Sequence, residues 1–202
     1  MNKQSLVYTV IFTFLVSFVF VLLLAFANEG TRAQVALNQQ VARQRAILNA
    51  MGIEYGDSAE DILSAFDNVE EIDKDGAQLF RASSPQGEIY AIEFVGNGLW
   101  GRIEGVLAVD EAMDRTVGIE IITHNETPGL GGRIDEPWFK SQLNGERIVD
   151  GTITVASAGS GDTDHENGEI DAVTGASRTS DAMQQILDSE LSELASLLEV
   201  RS

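Results

Sequence analysis

An α+β architecture is predicted by three features of this 202-residue chain: a charge-free apolar run from Ser5 to Ala27, a central stretch whose apolar residues alternate from Gln78 onward, and a C-terminal segment with apolar residues at helical spacing. The first feature stands apart from any soluble core. The other two predict one domain behind it, a twisted antiparallel sheet packed by helices. A chain of this size with 44% hydrophobic residues has room for one core and one extra element. No internal repeat or interior linker splits the body.

The apolar run from Leu6 through Phe26 is long enough for a bilayer at about 1.5 Å per residue. It predicts a single transmembrane helix. A cleaved signal sequence is the competing reading, because Ala25-Phe26-Ala27 has the small-x-small pattern of a cleavage site. The run is longer than the roughly 7 to 15 residues of a signal core, and the basic region before it is Lys3 plus the terminal amine, which favours an anchor. No cysteine follows, which excludes a lipoprotein anchor. Lys3 precedes the helix while Glu29 and Arg32 follow it and nearly cancel, a balance that favours an extracytoplasmic body on the inner membrane. The expected organisation is an anchor over 1–28, a membrane-proximal helix over 29–56 and a globular domain over 57–202.

Glu29 to Met51 reads as a polar helix with a sparse apolar stripe, Leu37, Val41, Leu48 and Met51, that stands the body off the membrane. Ser58 with Asp61 three residues on predicts a capped short helix whose apolar side is Ile62, Leu63 and Phe66. Strands are predicted over 88–95, 101–109 and 117–123, separated by glycine or acidic turns, with 152–156 a further candidate before the Gly, Ser and acid-rich loop 157–169. The last helix is expected from about Ser180, burying Met183, Ile186, Leu187, Leu191, Leu194, Leu197 and Leu198.

The formal charge of −19 excludes nucleic acid and anionic lipid as partners, since both demand clustered Lys and Arg. The carboxylates are spread through the body, and only three of the 13 basic residues are lysine. That pattern predicts a saline habitat, in which salt screens the self-repulsion. The absence of cysteine rules out disulfides, thiolate catalysis and Cys-ligated iron–sulfur or zinc sites. Any redox chemistry must come from a bound cofactor.

Two stretches carry chemical signal. Asp171-Ala172-Val173-Thr174-Gly175-Ala176-Ser177-Arg178-Thr179-Ser180 sets hydroxyls and a glycine at the threshold of the last helix. Unpaired amides and partial positive charge make a helix N-terminus a phosphate seat, although Thr, Ser and Asp ahead of a helix also serve as ordinary caps. His124-Asn125-Glu126-Thr127-Pro128-Gly129-Leu130-Gly131-Gly132-Arg133-Ile134 follows a strand and is too glycine-rich for one tight turn. It suits a ligand-facing loop in which backbone amides approach a ring or phosphate and Leu130 covers a ring face, or else a long hairpin connection.

The first stretch resembles the flavinylation motif of the FMN-binding domain family: Asp, two residues, then Ser/Thr-Gly-Ala-Ser/Thr. Glu-Thr-Pro-Gly-Leu-Gly-Gly resembles the second hallmark of the C subunits of Na⁺-translocating NADH:quinone reductases and of the homologous G subunits of Rnf complexes, with Trp138 following at the expected distance. Gln44-Arg45-Ala46-Ile47-Leu48 with Gly52, and Gly98-Leu99-Trp100 with Gly101, extend the match to the C subunits along nearly the whole chain in the family's order. The resemblance implies an FMN-binding domain over 57–202 and FMN joined by a phosphoester bond to Ser177. It further implies that Asp171, Thr174, Gly175, Ala176 and Thr179 shape the phosphate site, and that Glu126, Thr127, Gly129 and Leu130 border the flavin. Threonine is the usual acceptor in the family, and serine at 177 offers the same oxygen without the methyl.

The implied protein is a membrane-anchored electron-transfer subunit, not catalytic alone, whose partners are the other subunits of the redox complex. A separate Mg²⁺-dependent flavin transferase loads the cofactor. The Rnf G subunit, serving electron transport between ferredoxin and NAD, is the direct alternative. The matches after the anchor and at 98–100 favour the reductase family, whereas chain length points toward Rnf. A flavin-free surface module that uses the glycine loops for protein contacts is an alternative of another class. The many carboxylates predict a lowered flavin potential unless Arg133 or Arg178 offsets them.

The remaining signals point to structure. Asp162-Thr163-Asp164-His165-Glu166 lacks the turn glycine and closing Glu of a calcium loop and reads as a solvated acidic loop, so no metal site is expected. His124 and His165 lack a metal-ligand partner at helical spacing. No nucleophile elbow, P-loop or dinucleotide fingerprint is present.

Overall fold

The structure, a computed structural model, describes residues 6–199. The chain divides into two compact units, 1–40 and 41–202. Helix α1 (Leu6–Ala50) continues through residue 28 without a break. Its N-terminal part is long and apolar enough to cross a membrane, and Phe12, Phe14, Phe18, Leu22 and Phe26 are exposed along it. From Val41 onward the character of the helix changes, and Ala46, Ile47, Leu48 and Ala50 are buried in the core of the second unit.

The short helix α2 (Ala59–Phe66) starts as its sequence predicts. The Ser58 hydroxyl accepts from the Asp61 N–H at 3.1 Å, and the Ser58 N–H donates back to Asp61 Oδ2 at 3.2 Å. A five-stranded antiparallel meander follows in the order β1 (Glu70–Lys74), β2 (Ala77–Ser84), β3 (Gly87–Asn97), β4 (Arg102–Asp110) and β5 (Thr116–His124). After it come a 3-10 turn (Gly131–Asp135), the one-turn helix α3 (Pro137–Lys140), and a second 3-10 turn (Ser141–Leu143). Strands β6 (Thr154–Ala158) and β7 (Glu169–Ala172) precede helix α4 (Ser177–Leu198).

The sheet is covered on both faces. Ile92, Phe94, Ile103, Leu107 and Ile119 pack with Met183, Ile186, Leu187 and Leu191 of α4 on one side. Ile89, Ala91, Val106 and Ala108 pack with Ile47, Leu48, Ile62 and Phe66 on the other. Central strand β4 is therefore buried at five consecutive residues, Gly105 to Val109, as a strand with two covered faces must be.

Three differences from the sequence-based expectation have physical causes. Strand β1 is almost wholly charged, Glu-Glu-Ile-Asp-Lys, and forms the exposed edge of the sheet, so no alternating pattern announces it. The candidate strand near 152–156 does not join the antiparallel sheet; β6 pairs in parallel with β7, across the intervening acidic loop. Helix α4 begins three residues earlier than its apolar stripe suggests, because Ser177, Arg178 and Thr179 carry no apolar signal.

Candidate flavin site

The end of the sheet where β3 and β5 finish, the glycine-rich loop after β5 and the first turn of α4 converge on one carboxylate. Glu126 is 4% exposed. Its Oε2 accepts a hydrogen bond from the Thr179 hydroxyl at 2.5 Å, and its Oε1 accepts one from the Trp100 N–H at 3.1 Å. Two glycines let the backbone come this close: a Cβ at Gly98 would lie 2.5 Å from Oε1, and one at Gly131 would lie 2.7 Å from Oε2 and collide with the Thr179 hydroxyl. The turn at 98–101, the loop at 126–132 and the segment at 171–180 are thus one construction.

Around that buried centre lies an exposed surface. The loop folds on the Thr127 carbonyl, which accepts from the N–H groups of Leu130 at 3.1 Å and Gly132 at 3.0 Å. Thr127, Gly129 and Leu130 face solvent, as do Thr174, Gly175 and Ser177. Gly175 has φ +77°, and a Cβ there would sit 3.4 Å from Leu130 Cδ2, so the two sequence motifs touch. Leu99 and Trp100 add exposed apolar area on the neighbouring turn.

The hydroxyls of the second motif have different fates. Ser180 Oγ accepts from the Val173 N–H at 3.2 Å and donates to the Ala176 carbonyl at 3.1 Å, and Thr179 is committed to Glu126. The N-cap position of α4 is Ala176, with no side-chain cap, which removes Thr174 and Ser177 as caps. The Ser177 hydroxyl makes no hydrogen bond among the described residues and stands exposed. The first amide bonded in the helix pattern is that of Ser180, to the Ala176 carbonyl at 3.0 Å, which leaves the amides of Ser177, Arg178 and Thr179 without a helix acceptor. Free amides, a helix N-terminus and an unbonded hydroxyl fit a phosphate ester.

Asp171 sits differently from the exposed group. Its Oδ2 accepts from the Gly161 N–H at 2.9 Å and its carboxylate packs directly on Gly159, so it holds the 159–161 backbone. Ala176 is buried beneath the turn. The structure also reveals Gln142, 1% exposed, which no sequence pattern singles out. Its carbonyl accepts from the N–H groups of Asp171 and Asp162, both at 2.7 Å, and its amide donates to the Asp171 carbonyl at 3.3 Å. A single Gln among Phe139 and Leu143 gives no hint of this grip.

Arg133, one candidate for offsetting the negative charge, is engaged elsewhere. It ion-pairs with Glu136 at 3.2 Å and lies 5.0 Å over the Trp138 ring. Arg178 is exposed on the first turn of α4 beside Ser177. The acidic loop satisfies itself: the Asn167 side chain and the Asp164 N–H donate to Asp162 and hold its carboxyl below the usual range.

An exposed hydroxyl stands at a free helix N-terminus bordered by a glycine loop, and residues 98–192 match the FMN-binding domain. That segment holds the whole site. The chain further resembles the C subunit of the Na(+)-translocating NADH-quinone reductase. It is 38% identical to the one from Neisseria meningitidis serogroup A over 92 residues, 44% of this chain but only 35% of that protein. It is 23% identical to the one from Vibrio anguillarum over 96% of this chain and 93% of that protein. Among solved structures, the C subunit from Parabacteroides distasonis shares the fold with a TM-score of 0.68 at 21% identity, covering 85% of this chain and 98% of that one. Shewanella oneidensis NqrC does so with a TM-score of 0.64 at 20% identity, covering 73% and 89%.

Proposed function

We propose that this chain is a membrane-anchored, covalently flavinylated electron-transfer subunit of a Na⁺-translocating NADH:quinone reductase, with FMN esterified through its phosphate to Ser177. The observation that carries the reading is the state of Ser177: an exposed, unbonded hydroxyl on the first turn of α4, two residues after the Gly175 that meets Leu130 and at the head of unpaired amides. The amides of Ser177, Arg178 and Thr179 would hold the phosphate, and Thr127, Gly129 and Leu130 would border the flavin. Thr174 and Gly175 keep the approach open, with Ala176 as the buried floor. Asp171 and Thr179 act from beneath by holding the backbone.

Bound flavin supplies the capacity to take up and release electrons. The protein supplies placement and electrostatics, and the ester keeps the cofactor from being lost to the extracytoplasmic side, where the body lies in this reading. A flavin transferase attaches FMN, since the site offers an acceptor and no attaching machinery. Sodium movement belongs to partner subunits, because a single apolar helix encloses no path for an ion. The relatives from Neisseria meningitidis and Vibrio anguillarum are both C subunits of the reductase, which supports this reading over the Rnf alternative.

The test is direct. After coexpression with a flavin transferase, the protein keeps yellow fluorescence through a denaturing gel, Ser177→Ala loses it, and peptide mass spectrometry places FMN on Ser177. A colourless wild-type band under the same conditions overturns the flavin reading and leaves the surface-module reading ahead. FMN found on Thr174 keeps the function and corrects the acceptor.

A further inference from the structure

We propose that Glu126 and Thr179 form a buried latch, so that the order of the 98–101 turn and the 126–132 loop depends on the first turn of α4. Glu126 is then a positioning residue that acts through other groups, deepening the reading of Ser177 as the modified residue and resting on it only for the flavin-loaded measurement. Three observations carry it.

The carboxylate is almost fully buried, yet among the described residues it has no Lys or Arg partner. Its two oxygens are each spent on a donor from a different segment, the Thr179 hydroxyl and the Trp100 N–H. A buried carboxylate whose only donors lie on two other segments makes both hydrogen bonds costly to lose, because each lost donor leaves charge unsolvated.

Glycine stands where the backbone meets the carboxylate from two sides, at Gly98 and Gly131, and a Cβ at either would collide with one of its oxygens, so both backbone segments lie directly against the Glu126 side chain. The segment it belongs to is exposed from Thr127 to Leu130, and the backbone hydrogen bonds of that stretch stay within the loop and the 3-10 turn that follows it. Removing the Thr179 hydroxyl therefore releases the Trp100 turn, 79 positions earlier in the chain by residue number, although the two residues share no direct hydrogen bond. A merely local structural role for Thr179 would disturb α4 alone.

Amide hydrogen exchange on the full chain in detergent reads this coupling residue by residue. In Thr179→Val the Trp100 amide is expected to exchange at least tenfold faster, while the β4 amides of Val106 to Ala108 keep their rates. Thr179→Ser restores the hydroxyl and returns the Trp100 amide to within about twofold of wild type. Glu126→Gln, which keeps the volume but can satisfy only one of the two donors with its carbonyl, gives faster exchange at the Trp100 amide or at the Ser180 amide, the first one bonded in α4. An unchanged Trp100 amide in Thr179→Val, or a change shared equally by the β4 amides, overturns the latch.

All of these measurements use flavin-free protein, so they stand whether or not Ser177 is modified. A final arm joins the two readings: on FMN-loaded wild type the Trp100 amide is expected to be at least threefold better protected than on the flavin-free protein, and the gain disappears in Thr179→Val. Loss of flavin from the wild type sinks the function while the latch survives. Flavin bound without any change at Trp100 sinks the coupling while the function survives.

Discussion

The hydroxyls at positions 177, 179 and 180 sit within one turn of helix and do three different things. Ser180 bonds backbone, Thr179 bonds a buried carboxylate, and Ser177 is free. Only a free hydroxyl is available for esterification, which is why the burial of its neighbours matters more than its own residue type. Arg178, exposed beside it, is the cation still available to act on a bound flavin, since Arg133 is held by Glu136 and Trp138. Arg178→Ala is expected to lower the flavin midpoint potential by no more than about 0.5 kcal/mol per electron at low ionic strength, and by less in salt. A redox titration at two salt concentrations measures it; no shift at either would remove Arg178 from the account.

At the scale of single elements, α4 carries both the turn with the free Ser177 hydroxyl and an unusual acid. Burial, and then the neighbouring Glu193 carboxylate, push the Glu190 carboxyl up to about 7 from its ordinary 4.5. The folded state thus binds a proton between about 4.5 and 7 that the unfolded chain has released, so stability is fullest below this window and falls as pH rises through it. Because Glu190 is half-buried, the loss is about 1 to 2 kcal/mol. Glu190→Gln is expected to flatten this part of the stability curve and to raise the melting temperature at pH 8, as denaturation at pH 5 and pH 8 would show. In α2 the reciprocal Ser58–Asp61 cap is worth about 1 kcal/mol, so Ser58→Ala should lower stability by that amount without altering flavin content.

For the whole molecule, a formal charge of −19 spread over the body makes ionic strength a stability variable. The melting temperature of the protein is expected to rise from low to molar salt as self-repulsion is screened, and a flat profile in calorimetry would refute the saline reading. Strand β4 tests the core in the same way: Leu107, fully buried between the helix layers, should cost about 2 to 5 kcal/mol as Leu107→Ala.

Much of this was legible along the chain. The apolar N-terminal helix, the Ser58 cap, strands β3 to β5 and the stripe of α4 follow from local periodicity and capping chemistry, and the two glycine-bearing motifs point to one ligand site. Strand β1 was illegible because an exposed edge strand needs no apolar face. The residues from Val41 to Met51 carry only a sparse stripe, and nothing local shows that they enter a core.

The amino-acid sequence alone determined the class of fold and the candidate anchor, because these depend on spacings of a few positions, while its candidate site residues rest on the resemblance of two motifs. Only the tertiary structure decided which of those residues face solvent and which support them. Glu126 meets Thr179 across 53 positions, and Gln142 grips Asp171 across 29. Burial and hydrogen bonding at such separations are set by how the sheet and α4 pack, and no local pattern encodes that.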